Sequence, residues 1–209
     1  MSVMWMENVL HVILLRSSRI PRIDLREKGD NMIIAIEGGD GLGKSCQAKL
    51  LAEKLKCKYI KFPNEELWSG KRIRQILNKE LPFEPASFQA LQIINRLETF
   101  ENLDPADDYV FDRGTLSGIV YGCADGLPDE WVKKVCGFVP EADVTFIFYG
   151  TPFCKDADIY SDDDYQQKIR DLYMECGSQI NGVVYYIGCQ GSVEEINRQL
   201  IKCLREMEP

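Results

Sequence analysis

With 209 residues, 45% of them hydrophobic and 28% charged, the chain is long enough for one α/β domain whose core needs no disulfide or metal staple. A formal charge of -8 argues against a general binder of nucleic acid or of an anionic membrane, since both are polyanions, so any phosphate must be met by locally placed cations. The eight cysteines stand singly, without a C-x-x-C pair, and His11 is the only histidine. Reduced thiols in a cytoplasmic setting are expected, and a structural zinc site is not.

Residues 1–31 come first. Their apolar run, Val9 to Leu15, is broken by His11 and is too short to cross a bilayer. Arg16 to Asn31 mixes charges and turn formers without apolar periodicity. This stretch therefore reads as a poorly ordered extension of a domain spanning 32–209. Met32 to Glu37 is a short β-branched run ending in glycines, the pattern of a strand buried on both faces. A helix follows, with Ala48, Leu51, Ala52 and Leu55 forming one apolar stripe. Further strands are expected at Cys57 to Phe62, Tyr109 to Asp112, Val144 to Tyr149 and Val183 to Ile187, separated by helical pattern. Ser161 reads as an N-cap with aspartates in the first turn after it. The last helix opens on a capping box, Ser192 with Glu195, and carries a stripe at Val193, Ile196, Leu200 and Leu204. Strands alternating with helices imply a five-stranded parallel sheet covered on both faces, a three-layer α/β sandwich.

Between the first strand and the first helix stands Gly38-Gly39-Asp40-Gly41-Leu42-Gly43-Lys44-Ser45, a full match to G-x-x-x-x-G-K-[ST]. Glycines let successive backbone N–H groups turn inward on phosphate oxygens, and the helix start at Lys44 adds its positive dipole end. Lys44 is expected to reach the β- and γ-phosphates of ATP and Ser45 to hold Mg²⁺, with Cys46 beside them. Asp112, at the carboxyl end of the third strand, is positioned to orient the metal through water, and Arg113 follows it directly.

Five blocks in order carry a family resemblance: Ile36 to Gln47, Lys61 to Asn64, Gly70 to Arg74, Asn95-Arg96 and Asp112 to Tyr121. Together they resemble the thymidylate kinase family of P-loop nucleoside monophosphate kinases. The resemblance implies a P-loop NTPase-type fold, a homodimer, and transfer of phosphate from ATP to a (deoxy)nucleoside monophosphate, thymidylate first. It also implies that Asp40 touches the acceptor sugar and that Arg113 grips the acceptor phosphate. Arg96 would read the base edge, Phe62 and Pro63 would pack on the nucleoside, and Ser117 and Tyr121 would close the sugar and base end. Gln190, in the loop after the last strand, lies where such folds seat adenine.

The chain departs from this pattern at three places. Gly41 and Ile159 stand where the family carries one more catalytic arginine, leaving Lys155, Lys71, Arg72 and Arg74 as candidate replacements. Gln92 stands where a phenyl ring usually stacks on the base, with Phe88 one turn earlier on the same helix face as a substitute ring or as plain core. Glu65 and Glu66 follow the Phe-Pro pair in place of an arginine. Two other readings remain open: a deoxynucleoside kinase using Glu37 as base, and a nucleotide-binding module with little catalysis.

Overall fold

A computed structural model describes residues 31–154 and 158–207. The expected extension, residues 1–31, lies outside the described residues except for Asn31, and so does Lys155. The order of elements is β1 (Ile33–Gly38), α1 (Lys44–Leu55), β2 (Lys58–Lys61), α2 (Trp68–Leu77), α3 (Pro85–Glu101), β3 (Tyr109–Asp112) and α4 (Thr115–Ala124). Then come α5 (Asp129–Cys136), β4 (Val144–Tyr149), α6 (Asp163–Cys176), a 3-10 turn (Gly177–Gln179), β5 (Val183–Gly188) and α7 (Val193–Arg205).

The five strands form one sheet in the order β2-β3-β1-β4-β5, and every pairing is parallel. Each strand is apolar on both faces because both faces are covered. Ile34 and Ile36 of β1, with Val144, Phe146 and Phe148 of β4, pack against Ala48, Leu51 and Ala52 of α1 and Ile196, Leu200 and Leu204 of α7. On the opposite face Ile147 and Val184 meet Leu116 and Val120 of α4 and Ile169 and Tyr173 of α6. Burying a side chain such as Leu51 or Leu200 contributes about 2 kcal/mol each. Because β1 is central, the chain leaves it toward β2 and later crosses to β4 on its other side. The loop after β1 therefore occupies the crevice at the carboxyl edge of the sheet, where ligands bind in such folds.

Two helix starts differ from expectation in detail. Asp162, not Ser161, caps α6, its carboxylate accepting the Tyr165 N–H at 2.9 Å. In α7 both halves of the Ser192–Glu195 capping box form, but Val193 is 41% exposed and the buried stripe begins at Ile196. The first turn is instead tied through the Val193 carbonyl, which accepts from Gln47 Nε2 at 2.8 Å, while Gln47 Oε1 accepts from Asn197 Nδ2 at 3.2 Å.

Helix α2 presses on the segment after β2. Asn95 brackets Asn64, accepting its N–H at 2.8 Å and donating to its carbonyl at 3.1 Å. A Cβ on Gly70 would run into that same Asn64 carbonyl. Gly70→Ala is therefore expected to lower stability by about 2 kcal/mol, measured by denaturant unfolding, because backbone rather than a mobile side chain must yield.

Candidate active site

The glycines of the loop are required by crowding as well as by conformation. Gly38, Gly41 and Gly43 all have positive φ, at 131°, 73° and 78°. Any side chain at position 41 would strike the Cys154 carbonyl, and the segment there is pinned by the Phe153 N–H donating to the Gly41 carbonyl at 2.8 Å. An arginine at this position would require that segment to move. Leu42 is buried in the core, so it offers the loop only its backbone.

Lys44 is buried, and its ammonium donates to the Gly39 carbonyl at 2.5 Å and lies 3.7 Å from Asp40 Oδ1. Burial and the neighbouring Arg113 push its pKa down to about 8. Ser45 Oγ donates to Asp112 Oδ2, which also accepts from Tyr59 Oη at 3.2 Å. Hydroxyl and carboxylate thus converge beside the start of α1.

Asp40 is the meeting point of four elements. Its carboxylate pairs with Arg113 Nη2 and accepts from Tyr121 Oη of α4 at 3.0 Å and Gln166 Nε2 of α6 at 3.0 Å. Its own N–H donates to Gln166 Oε1 at 3.3 Å. Burial alone would raise the Asp40 pKa, but Arg113, Lys44 and the two hydrogen bonds outweigh it and hold the group at about 2. Arg113 sits at φ 74°, a left-handed conformation rare outside glycine. It is held there by its N–H on the Ile36 carbonyl at 2.9 Å and by donation to Tyr173 Oη at 3.2 Å. Its guanidinium lies over the Tyr121 ring at 5.3 Å, and despite burial its pKa is raised well above the usual value by Tyr121 and Asp40.

Glu37 is fully buried directly before the loop. Oε1 accepts the N–H groups of Gly114 at 2.8 Å and Ser117 at 3.0 Å, and Oε2 accepts the hydroxyls of Ser117 at 2.5 Å and Tyr173 at 3.1 Å. It caps α4 from β1, and its lone pairs are occupied by the fold.

From the loop a cleft of about 500 Å³ runs past Arg113 to a pocket walled by Phe62, Pro63, Phe88, Gln92 and Arg96. Arg96 is buried, with Nε on the Gly114 carbonyl at 3.1 Å, Nη1 on the Gln92 carbonyl and Oε1 at 3.0 Å, and its plane over the Phe62 ring at 5.2 Å. Phe88 borders the cleft but is only 3% exposed, packed edge-on against Phe83 and Tyr160. Tyr160 is itself a cleft wall, set against Tyr121 at 5.1 Å and anchored through its hydroxyl to Asp125 at 2.9 Å.

Of the expected site residues, Asp40, Lys44, Ser45, Cys46, Asp112, Arg113, Ser117 and Tyr121 line this one cleft together with the pocket residues above. Gln190 lies outside its wall, donating to the Thr151 carbonyl at 3.2 Å. Among the candidate replacement cations, Arg74 lines the cleft, its Nε on Glu65 at 2.8 Å, so Glu65 is paired rather than merely solvated. Lys71 and Arg72 are exposed elsewhere on α2. Ile159 faces α2, its N–H on the Leu77 carbonyl at 3.2 Å. Sequence reasoning missed Tyr59, Tyr160, Gln166, Arg170 and Tyr173. For the last three a signal exists: 166, 169, 170 and 173 fall on one helix face, which reads as a stripe only if polar residues are admitted to it.

A parallel sheet, a glycine loop at its central strand and a Lys-Ser pair beside a strand-end carboxylate define a P-loop phosphotransferase. The thymidylate kinase family model matches residues 36–200, and the chain belongs to that family. A Methanocaldococcus jannaschii protein described as "Probable thymidylate kinase" is 29% identical over 186 residues, covering 85% of this chain and 98% of that one. The Dictyostelium discoideum thymidylate kinase is 27% identical over 187 residues, covering 81% and 82%. The solved thymidylate kinase of Candida albicans superposes with a TM-score of 0.70 at 22% identity over 85% of this chain and 92% of its own.

Replacing Glu37 by Ala strands the buried Gly114 and Ser117 N–H groups and the Ser117 and Tyr173 hydroxyls. A loss of about 3 kcal/mol in unfolding free energy is expected in urea melts, and an unchanged midpoint would contradict the capping role.

Proposed function

We propose that the chain is an ATP- and Mg²⁺-dependent dTMP kinase, producing dTDP and ADP in the cytoplasm. The observation that carries this reading is the continuity of one cleft from the phosphate loop at Lys44, past Arg113, to the Arg96 pocket. An acceptor phosphate oxygen is already anionic at neutral pH. It attacks the γ-phosphorus, the bond to the β–γ bridging oxygen breaks, and ADP departs with the electron pair, so no proton need be removed. Lys44 neutralises the donor phosphates and Arg113 clamps the acceptor phosphate. Asp40, ionised at every working pH, accepts a hydrogen bond from the sugar hydroxyl. A deoxynucleoside kinase would need a base, and the four donors around Glu37 leave that carboxylate none of the freedom such a role requires.

The donor set at Ser45 and Asp112 fits Mg²⁺. One hydroxyl and one carboxylate converge there, and no group of three or more His, Cys, Asp or Glu suited to a metal gathers among the described residues. Mg²⁺ takes few protein ligands and keeps water and phosphate oxygens. When bound, it would neutralise charge on the donor phosphates, with Ser45 holding it directly and Asp112 through water.

Arg96 keeps Nη2 as a spare donor once Gly114 and Gln92 have taken Nε and Nη1, and Gln92 Oε1 is occupied by Arg96. The pocket thus presents donors, which suit the carbonyl edge of thymine or uracil and repel the exocyclic amine of cytosine. In a coupled ADP-release assay, dTMP and dUMP are expected to exceed dCMP by at least about tenfold in kcat/KM. Lys44→Ala is expected to lose roughly 10²–10³-fold. If no monophosphate stimulates turnover while ATP still binds, the chain is a nucleotide-binding module instead.

The Lys44 pKa gives a pH test. Below about 8 the free protein holds Lys44 as an ammonium and bound phosphates favour that form. As pH rises through this value the proton must be regained to bind. ATP affinity is therefore expected to fall about tenfold between pH 7 and pH 9, and to stay flat over that range in Lys44→Arg.

A homodimer through the outer face of α2 and α3 is part of this proposal. Trp68 is 60% exposed, with its indole N–H on Glu98, and Ile94 on the same face of α3 is 41% exposed. Light scattering is expected to give twice the chain mass, reduced to one by Ile94→Glu. The eight cysteines, all free, support the cytoplasmic assignment.

A further inference from the structure

Bringing a triphosphate and a monophosphate into contact requires more positive charge than the cleft commits to it. Arg113, paired to Asp40 in this structure, is assigned to the acceptor phosphate, Arg74 is paired to Glu65, and Arg96 is turned into the base pocket between Gly114 and Gln92. Lys44, itself 3.7 Å from Asp40, is the cation at the loop, and the exposed Lys61 at the end of β2 also borders the cleft. A side chain at position 41 would meet the Cys154 carbonyl, so this arrangement holds no cation there.

One further arginine reaches the loop from α6. The stem of Arg170 lies on Gly39, its Cγ 3.1 Å and its Cδ 3.9 Å from where a Cβ on that glycine would be. Gly39 is also the residue whose carbonyl holds the Lys44 ammonium, so the two cations approach the same loop residue. Arg170 borders a small side cavity whose walls include Asp40, Cys154, Asp158, Tyr160, Asp163 and Gln166. Asp40, Cys154, Asp158 and Tyr160 are walls of the main cleft too, so the side cavity adjoins it.

The fork of Arg170 is uncommitted in charge. Its Nε and Nη2 both donate to the neutral Gln167 Oε1, at 3.2 and 2.7 Å. None of the ion pairs among the described residues includes it. Its root is nevertheless fixed, because Gln166, four residues before it and one turn earlier on α6, binds Asp40 through both ends of its amide. A long cation on a rigid stem, beside the phosphate loop and in no ion pair among the described residues, is the arrangement that stabilises charge developing on a transferring phosphoryl group.

We propose that Arg170 is a catalytic residue, its guanidinium turning from Gln167 onto a non-bridging oxygen of the γ-phosphoryl group during transfer to the acceptor. The inference rests on the kinase reading above. The variants are Arg170→Met, which keeps the stem on Gly39 without the charge, and Arg170→Lys, which keeps charge without the planar fork. Two measurements apply to each: kcat and KM for ATP and dTMP, and the gain in ADP affinity, with Mg²⁺ and dTMP present, on adding tetrafluoroaluminate as a mimic of the phosphoryl group in flight.

Arg170→Met is expected to lower kcat roughly 10²–10³-fold with both KM values within about threefold and the melting temperature unchanged. It is also expected to abolish most of the tetrafluoroaluminate gain, while Arg170→Lys restores about tenfold of the lost turnover. A Met variant that keeps kcat and the gain within about threefold of the parent overturns the proposal, as does one whose losses appear in KM and thermal stability instead. A parent chain that shows no gain with tetrafluoroaluminate overturns it as well. A parent chain that shows the gain but turns over no monophosphate sinks the kinase reading and leaves the Met comparison of the gain to decide Arg170 by itself.

Discussion

The carboxylate of Asp40 sets the geometry on which the rest of the site depends. It is the acidic residue within the glycine loop, and it draws to itself Arg113 from the end of β3, Tyr121 from α4, Gln166 from α6 and Lys44 from the start of α1. These elements approach from both faces of the sheet, so one buried anion registers the layers against one another at the carboxyl edge. Arg113 and Lys44 hold Asp40 at about pKa 2 against burial, and Tyr121 and Asp40 in turn keep the buried Arg113 protonated, while its left-handed backbone is tied by its N–H on the Ile36 carbonyl. In the proposed reaction an arriving phosphate would compete with Asp40 for Arg113. A group that is pre-oriented but already paired is ready to exchange partners without reorganising the backbone.

Behind this exchangeable pair lies a fixed one. Glu37 anchors the start of α4 to β1 through four donors, and Ser117 and Tyr173, two of its partners, also touch Arg113. The cleft thus has a rigid polar floor, fully satisfied and buried, beneath a layer of charges free to change partners. A half-satisfied network at this depth would cost more than an apolar core, which is why the floor reads as structure rather than as chemistry. Asp112 differs from Glu37 in this respect, its Oδ2 accepting two side-chain hydroxyls, those of Ser45 and Tyr59, where the two oxygens of Glu37 take four donors.

Steric closure shapes the charge distribution as strongly as the ion pairs do. The segment at 152–154 lies on Gly41 and excludes a side chain there, and Ile159 turns toward α2. The cations that the other elements bring to the cleft and its side cavity are Lys61 of β2, Arg74 of α2 and Arg170 of α6. Aromatic residues follow a similar displacement. With Gln92 engaged by Arg96, the aromatic surface of the cleft comes from Phe62, Phe88, Tyr121 and Tyr160, the last of these delivered by the segment before α6 and fixed by Asp125.

Local chemistry with short-range causes is legible in the order of residues. The phosphate loop is one contiguous octet flanked by a β-branched run and an apolar stripe, so its place between β1 and α1 was legible, as were all five strands to within a residue or two. The capping box of α7 is likewise a contact between neighbours. Tertiary structure alone decided what depends on distant partners. Nothing in the residues around Glu37 announces that Gly114, Ser117 and Tyr173 will exhaust its lone pairs, since those partners lie some 80 and more than 130 positions away. Gln166 and Arg170 sit among polar residues of α6 and look solvated in sequence, because helix periodicity marks apolar faces and says nothing of a polar face that packs on a loop. Gly41 looked like a missing arginine until the Cys154 carbonyl above it supplied the reason. Short-range patterns fix which element forms, whereas the partner of a buried charge is fixed only when the sheet brings the ends of its strands together.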